Sequence, residues 1–260
     1  MSWNALSSTS VRFDSQASVS SSQEIDHPKV TFKPEYMHHF IEDEVVRGYK
    51  NPELHFYFSH LTMECYFHYT FEAAEKDAVN LDAHFKHFFK NGLILDRGVF
   101  ESKLWKQEDT QSEIGTLLAS KTQNGEVYEL REIVDYGKDK KSTHFVQNIQ
   151  IFLKFYIETG SYIDDEDHMW RLLMLFRLDE KKHRCFCGFI SYYPFFKQMD
   201  MYRIRISQIV ILPCYQRRGL GSLILQVGLP VTSRKCTKGI LRIQTALRSL
   251  WSHLLKIFKS

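Results

Sequence analysis

The most specific chemistry in this 260-residue sequence lies in Gln216-Arg217-Arg218-Gly219-Leu220-Gly221. The segment follows an apolar run, Ile209-Val210-Ile211-Leu212, which Pro213 ends, and it leads into a second apolar stretch, Leu223 to Val227. A strand that turns sharply into a helix makes an anion site. The first N–H groups of the helix have no internal acceptor and stand at the positive end of the macrodipole. Gly219 and Gly221 allow an anion close to the backbone and permit dihedrals closed to other residues. Arg217 and Arg218 add positive charge. These residues predict a phosphate-binding loop.

Other residues offer chemistry with less specificity. Glu42-Asp43-Glu44 could attract a basic ligand, although such a triplet is more often a solvated turn. His84 and His87 stand three apart among Leu81, Phe85 and Phe88. No third ligand accompanies them, so they are read as polar positions of an amphipathic helix and no metal is expected. The five cysteines, Cys65, Cys185, Cys187, Cys214 and Cys236, form no C-x-x-C pair. They predict a reduced, intracellular chain without structural zinc.

The elements that position the loop can be read from periodicity. Leu54, Phe56 and Phe58 alternate, as do Met63, Cys65 and Phe67, which predicts two paired strands. Asn124-Gly125 marks a hairpin turn between apolar flanks. Ile149, Phe152, Leu153, Tyr156 and Ile157 have helical spacing, with a stop near Gly160. Three strands follow, Trp170 to Leu178, Cys185 to Tyr193 and Arg203 to Leu212, before the glycine loop. Residues 1–28 are rich in Ser and poor in large apolar groups, so they are expected to be a disordered tail, with order starting near Val30.

Composition narrows the function classes. At 43% hydrophobic and 25% charged residues, a sizeable core is expected. A net charge of +3 gives no reason to expect a direct nucleic-acid or membrane partner. There is no apolar run long enough to span a bilayer, and no basic-then-apolar secretory leader is read at the start.

The Gln-Arg-Arg-Gly-Leu-Gly loop after an apolar strand resembles the coenzyme A pyrophosphate loop of the GNAT acetyltransferase superfamily. Further short segments narrow the resemblance to the type B histone acetyltransferase catalytic subunit. They are Phe32-Lys33-Pro34-Glu35-Tyr36, Glu42-Asp43-Glu44, Gly48-Tyr49-Lys50, Ile157-Glu158-Thr159-Gly160-Ser161-Tyr162-Ile163-Asp164 with Asp167 and Trp170, and Ser207-Gln208. Together they run from about residue 30 to residue 228. The resemblance implies an α+β fold, in which a GNAT core of mixed sheet flanked by helices follows a smaller mixed N-terminal domain. The expected boundaries are 29–146 for the N-terminal domain, 147–228 for a partial acetyl-coenzyme A-binding core and 229–260 for a divergent basic segment.

The resemblance also implies sites. The backbone of Ile209, Val210 and Ile211 would bond the acetyl-pantetheine arm, and Gln216, Arg217, Arg218, Gly219, Leu220, Gly221 and Ser222 would cradle the pyrophosphate. Glu42, Asp43 and Glu44 with Tyr193, Pro194 and Phe195 would line the path of a histone tail. The implied activity transfers acetyl from acetyl-coenzyme A, as co-substrate, to lysines of a free histone of the H-four class. A WD-repeat histone chaperone subunit and a location in nucleus and cytoplasm are implied as well.

One expected group is absent. A lysine amine has a pKa near 10.4 and must lose a proton before it attacks a thioester. In the family that base is a glutamate on the strand after the glycine-loop helix. From Leu229 to Ser260 there is no Asp or Glu. Ile240-Leu241-Arg242-Ile243 could form the strand, but Gln244, Thr245 and Ala246 follow it. An alternative or mis-joined end near Gln226-Val227-Gly228 is expected. Glu158, at the end of a predicted helix, is then the remaining candidate base. Two other functions stay open: a catalytically impaired acetyl-coenzyme A or histone binder, and a GNAT that acts on another amine.

Overall fold

The computed structural model describes residues 4–6, 8–14, 30–59, 61–106, 114–134, 136–180, 182–198 and 201–228. The expected strand at Ile240 to Ile243 lies outside these residues. Contacts divide the chain into two compact units, 1–112 with 143–163, and 113–142 with 164–260.

The first unit begins with β1 (Asn4–Leu6), β2 (Ser8–Asp14) and β3 (Val30–Phe32). Next come β4 (Val45–Arg47), β5 (Tyr49–Lys50), β6 (Glu53–Ser59), β7 (Cys65–Thr70) and β8 (Ala73–Ala74). Its helices are α1 (Leu81–Lys86), α2 (Arg97–Lys106), most of α3 (Lys140–Ile149) and α4 (Ile151–Tyr156). One sheet has the order β3-β2-β6-β7, and two short pairs, β1-β4 and β5-β8, complete the set.

The disordered reading of residues 1–28 is corrected at β1 and β2. Strand β2 runs parallel to β6, Ser8 opposite Glu53 and Asp14 opposite Ser59. Thr9, Val11 and Phe13 are strand formers at period two. The serines between and after them dominate the composition and hide that alternation.

The alternation in β6 has the predicted result: Leu54, Phe56 and Phe58 are all fully buried. Phe56 meets Phe85 of α1 at 5.3 Å and Phe155 of α4 at 5.4 Å, and Phe58 meets Phe152 at 4.8 Å. Truncating one such ring to Ala costs about 3–5 kcal/mol. The predicted helix through Ile149 to Ile157 is two helices that break at Gln150. The buried Gln150 amide oxygen accepts from Ile163 N–H at 2.6 Å, which fixes the chain beyond the helix. Gly160 lies so close to the Leu153 carbonyl that a Cβ there would collide with it.

The second unit contains β9 (Thr116–Gln123), β10 (Glu126–Ile133), β11 (Arg171–Leu178), β12 (Arg184–Gln198) and β13 (Met201–Ile211), then α5 (Leu220–Leu223). The sheet order is β13-β12-β11-β10-β9. Every pairing is antiparallel, so the mixed sheet expected here is not seen among the described residues; the parallel pair is β2-β6. Asn124 and Gly125 join β9 to β10 with φ of 53° and 80°, the left-handed pair of a type I′ turn. The core contains Leu130, Leu173, Leu175, Ile190 and Tyr192, against which Leu220, Ile224 and Leu225 pack. This apolar seat anchors the helix after the glycine loop while Gln216 to Gly219 stay exposed.

Candidate functional site

Strand β13 reaches the loop along a specific register. Ile209, Val210 and Ile211 lie opposite Ile190, Phe189 and Gly188 of β12. A Cβ on Gly188 would strike the Val210 carbonyl, so glycine is what lets these strands close here. Ladder partners shift between Ser191 and Tyr192, which leaves Ser207 as an extra residue on β13, a bulge that twists the strand just before the apolar run. Among the described strands β13 is terminal, so one edge of Ile209 to Ile211 has no partner strand there, although the Ile211 carbonyl is already bonded by Gln216.

The chain turns through Pro213–Tyr215 and is tied back by Gln216, whose side-chain amide donates to the Ile211 carbonyl at 2.8 Å. Arg217 has φ 60° and Gly219, the N-cap of α5, has φ 77°. No side chain caps the helix. Leu220, Gly221 and Ser222 precede its first internal bond, Leu223 N–H to the Gly219 carbonyl at 3.0 Å. Their N–H groups are therefore the orphan donors that an anion can satisfy.

Sequence reasoning missed the residues that hold this loop. Gln123, the last residue of β9, donates its side-chain amide to the Arg218 carbonyl. The Arg218 guanidinium lies 3.3 Å from one oxygen of Glu126, whose other oxygen is 2.8 Å from Arg177. Both guanidiniums stand over the Tyr215 ring, at 5.6 and 5.9 Å. The Tyr128 hydroxyl bonds Glu126 at 2.5 Å and, with Arg177 and Arg218, holds that carboxyl below its usual value against the opposing effect of burial. Burial and the same bond push Tyr128 up to about 12. Burial lifts the Cys214 thiol to about 11, so it is protonated at neutral pH. The only sequence signal for this group was position: Gln123 and Glu126 flank the Asn-Gly turn.

Glu42, Asp43 and Glu44 form a tight turn in the first unit, with φ of 56° at both Asp43 and Glu44. Glu42 makes a loose 3.9 Å pair with Arg47, both side chains well exposed. Glu44 accepts from Met37 N–H at 3.1 Å, so its carboxylate serves the turn. Asp43 is exposed and has no partner among the described residues. Glu158 is exposed in the turn after α4, also in the first unit. His39 donates from Nε2 to the neighbouring Ile157 carbonyl at 3.1 Å. Burial, helped by Lys154 and His38, pulls the His39 imidazole below its usual value. Segment 33–40 thus wraps the end of α4, with Glu35 and Tyr36 N–H groups donating to the Phe155 carbonyl.

Tyr193, Pro194 and Phe195 lie on β12 of the second unit. The Tyr193 ring meets Trp170 edge-on at 5.2 Å and Phe195 at 4.7 Å. Burial and a bond to Asp167 raise the Tyr193 phenol. Phe195 is 44% and Phe196 67% exposed, so this aromatic row faces solvent rather than a core. Across the ladder, Arg205 stands opposite Tyr193 and Arg203 opposite Phe195. The structure therefore places the loop, its strand and the aromatic row in one unit, and the acidic turn and Glu158 in the other.

The α+β chain has known relatives. Residues 2–158 match the family model described as the histone acetyl transferase HAT1 N-terminus. The chain belongs to this family. It is similar to the histone acetyltransferase type B catalytic subunit of Dictyostelium discoideum, 26% identical over 216 residues, covering 80% of this chain and 46% of that protein. The Candida albicans subunit of that name is 27% identical over 213 residues, 75% of this chain and 51% of its own. The Homo sapiens subunit is 26% identical over 220 residues, 78% and 52%. The chain spans about half the length of the curated relatives it matches.

Proposed function

We propose that the second unit is a GNAT-type core that binds acetyl-coenzyme A, and that the chain acts on a histone tail. The observation that carries the reading is the left-handed Gly219 at the mouth of α5, with Leu220, Gly221 and Ser222 N–H groups ahead of the first helical bond. Gln216 to Ser222 would hold the pyrophosphate, with Arg217 as the cation without a carboxylate partner among the described residues. The open edge of Ile209 to Ile211 would bond the acetyl-pantetheine arm. Asp43 offers negative charge to a basic tail, and Tyr193 and Phe195 offer apolar contact.

In the proposed reaction a neutral lysine amine attacks the thioester carbonyl carbon, and the C–S bond breaks as the tetrahedral intermediate collapses. The amine loses its proton to a base, and coenzyme A leaves as the thiol. Glu158 is the carboxylate proposed for that task. A histone of the H-four class, a WD-repeat chaperone subunit, and residence in nucleus and cytoplasm belong to the same proposal and rest on family membership. A second reading, a binder with impaired catalysis, is favoured by one observation: residues 229–260 contain no Asp or Glu.

Calorimetric titration with coenzyme A, followed by thiol-release assays with a histone tail peptide, separates these readings. Binding with turnover supports the transferase. Binding without turnover supports the impaired binder, and no binding by folded protein refutes both.

A further inference from the structure

The glycine loop is gripped from outside its own strand and helix. Gln123 takes the carbonyl of Arg218, and Glu126 takes its guanidinium, so one residue is held at both ends by the two sides of a single hairpin turn. Gln123 also lies under Gly219: its amide nitrogen is 2.8 Å from where a Cβ would stand. Glu126 gives one oxygen to Arg177 and the other to Arg218, and Tyr215 lies beneath both guanidiniums. The adjacent Arg217 is exposed, left-handed and without a carboxylate partner among the described residues.

We propose that the β9–β10 hairpin anchors the glycine loop in its anion-ready shape, with Gln123 and Glu126 as positioning residues, and that the two neighbouring arginines have different tasks. Arg218 is a structural tie whose charge is offset in part by Glu126, a carboxylate it shares with Arg177. Arg217 is the cation offered to an anionic ligand. The division of labour rests on the reading of the loop as a pyrophosphate cradle, whereas the anchoring rests on the contacts alone.

The physical logic is preorganisation. Left-handed backbone at Arg217 is unfavourable for a residue with a Cβ, and a free loop would spend part of its time elsewhere. A ligand would then bind only the competent fraction, with its apparent affinity reduced in proportion. Bonds from a rigid hairpin to Arg218, between Arg217 and Gly219, hold both unusual dihedrals in place before the ligand arrives. Arg218 cannot serve two anions at full strength, because its guanidinium is already shared with Glu126 and set over Tyr215.

Amide hydrogen exchange and ligand titration on the full chain test the two halves separately. Without ligand, Gln123→Ala and Arg218→Gln should each speed exchange within residues 216–222 by about fivefold, the equivalent of one hydrogen bond, while β11 and β12 exchange as before. In titrations with coenzyme A at low and high salt, Arg217→Gln should weaken binding and flatten its salt dependence. Arg218→Gln should weaken binding but flatten its salt dependence less than Arg217→Gln does, and inorganic pyrophosphate should show the same contrast. Unchanged exchange in both Gln123→Ala and Arg218→Gln overturns the anchor. Equal flattening by the two arginine variants overturns the division of labour. If the folded wild-type chain binds neither coenzyme A nor pyrophosphate, the cradle reading fails and the division of labour with it, while the exchange data still decide the anchor.

Discussion

Replacement of Gly219 by Ala perturbs two things that can be separated. The φ of 77° places residue 219 in the left-handed region, where a Cβ costs roughly 1–2 kcal/mol. The new Cβ also comes to 2.8 Å from the Gln123 amide nitrogen, so the bond to the Arg218 carbonyl must move or break, at about 0.5–1.5 kcal/mol. The sum, about 1.5–3.5 kcal/mol, corresponds to roughly 10- to 300-fold weaker coenzyme A binding if the ligand must restore the loop. Gly125 supplies the control. Its φ of 80° is equally left-handed, yet a Cβ there meets nothing within 4 Å. Gly125→Ala should therefore lower stability by the dihedral term alone and leave coenzyme A affinity near wild type. A double-mutant cycle isolates the second term, since in the Gln123→Ala background the Gly219→Ala clash has no bond left to break. Calorimetry on the four proteins should show a coupling near 1 kcal/mol. Wild-type affinity in folded Gly219→Ala, or strict additivity in the cycle, would refute the reasoning.

Four further outcomes are expected. Asp43→Asn should weaken binding of a basic histone peptide by about 0.2–1 kcal/mol, in a salt-sensitive way, and spare coenzyme A; replacing Glu44 as well adds a structural loss, because its carboxylate holds Met37 N–H. Glu126 has a lowered folded pKa, so the stability it contributes is present above its unfolded value near 4.3 and is lost as pH falls through the folded value; Glu126→Gln should flatten the acid limb of a melting-temperature profile. His39 is also lowered, so its contribution is full above the unfolded value near 6.5 and is lost as pH falls, and His39→Gln should remove that step in the same assay. Acetyl transfer by the chain should be about 10²–10⁴-fold slower than by a version carrying a Glu-containing strand after α5, and Glu158→Gln should abolish the remainder with coenzyme A binding intact; equal rates in the two versions would remove the missing-base account.

The parts of the fold legible in sequence are those where one short period decides burial. Strands β6 and β11 to β13 announce themselves because alternating or continuous apolar runs bury one or both faces, and the Asn-Gly pair admits few turns. The N-terminal strands were not legible because pairing with β6 is a long-range event, and local composition reports serine content rather than partners. The break at Gln150 was equally hidden. An apolar helical stripe continues through it, and only the Ile163 N–H, thirteen residues away, shows why a buried amide stands there.

The candidate site divides in the same way. Its loop could be found because backbone anion binding demands glycine and a strand-to-helix junction, and both leave marks within six residues. Its supports could not, because a glutamine and a glutamate beside a turn look like ordinary solvated positions until the sheet brings them to Arg218. Nor could sequence distinguish Arg217 from Arg218. They are the same residue type one position apart, and what separates them is a carboxylate that lies 92 residues back along the chain. On the proposed reading these adjacent identical charges have opposite roles: one bound internally to hold a shape, the other left to meet an anionic ligand.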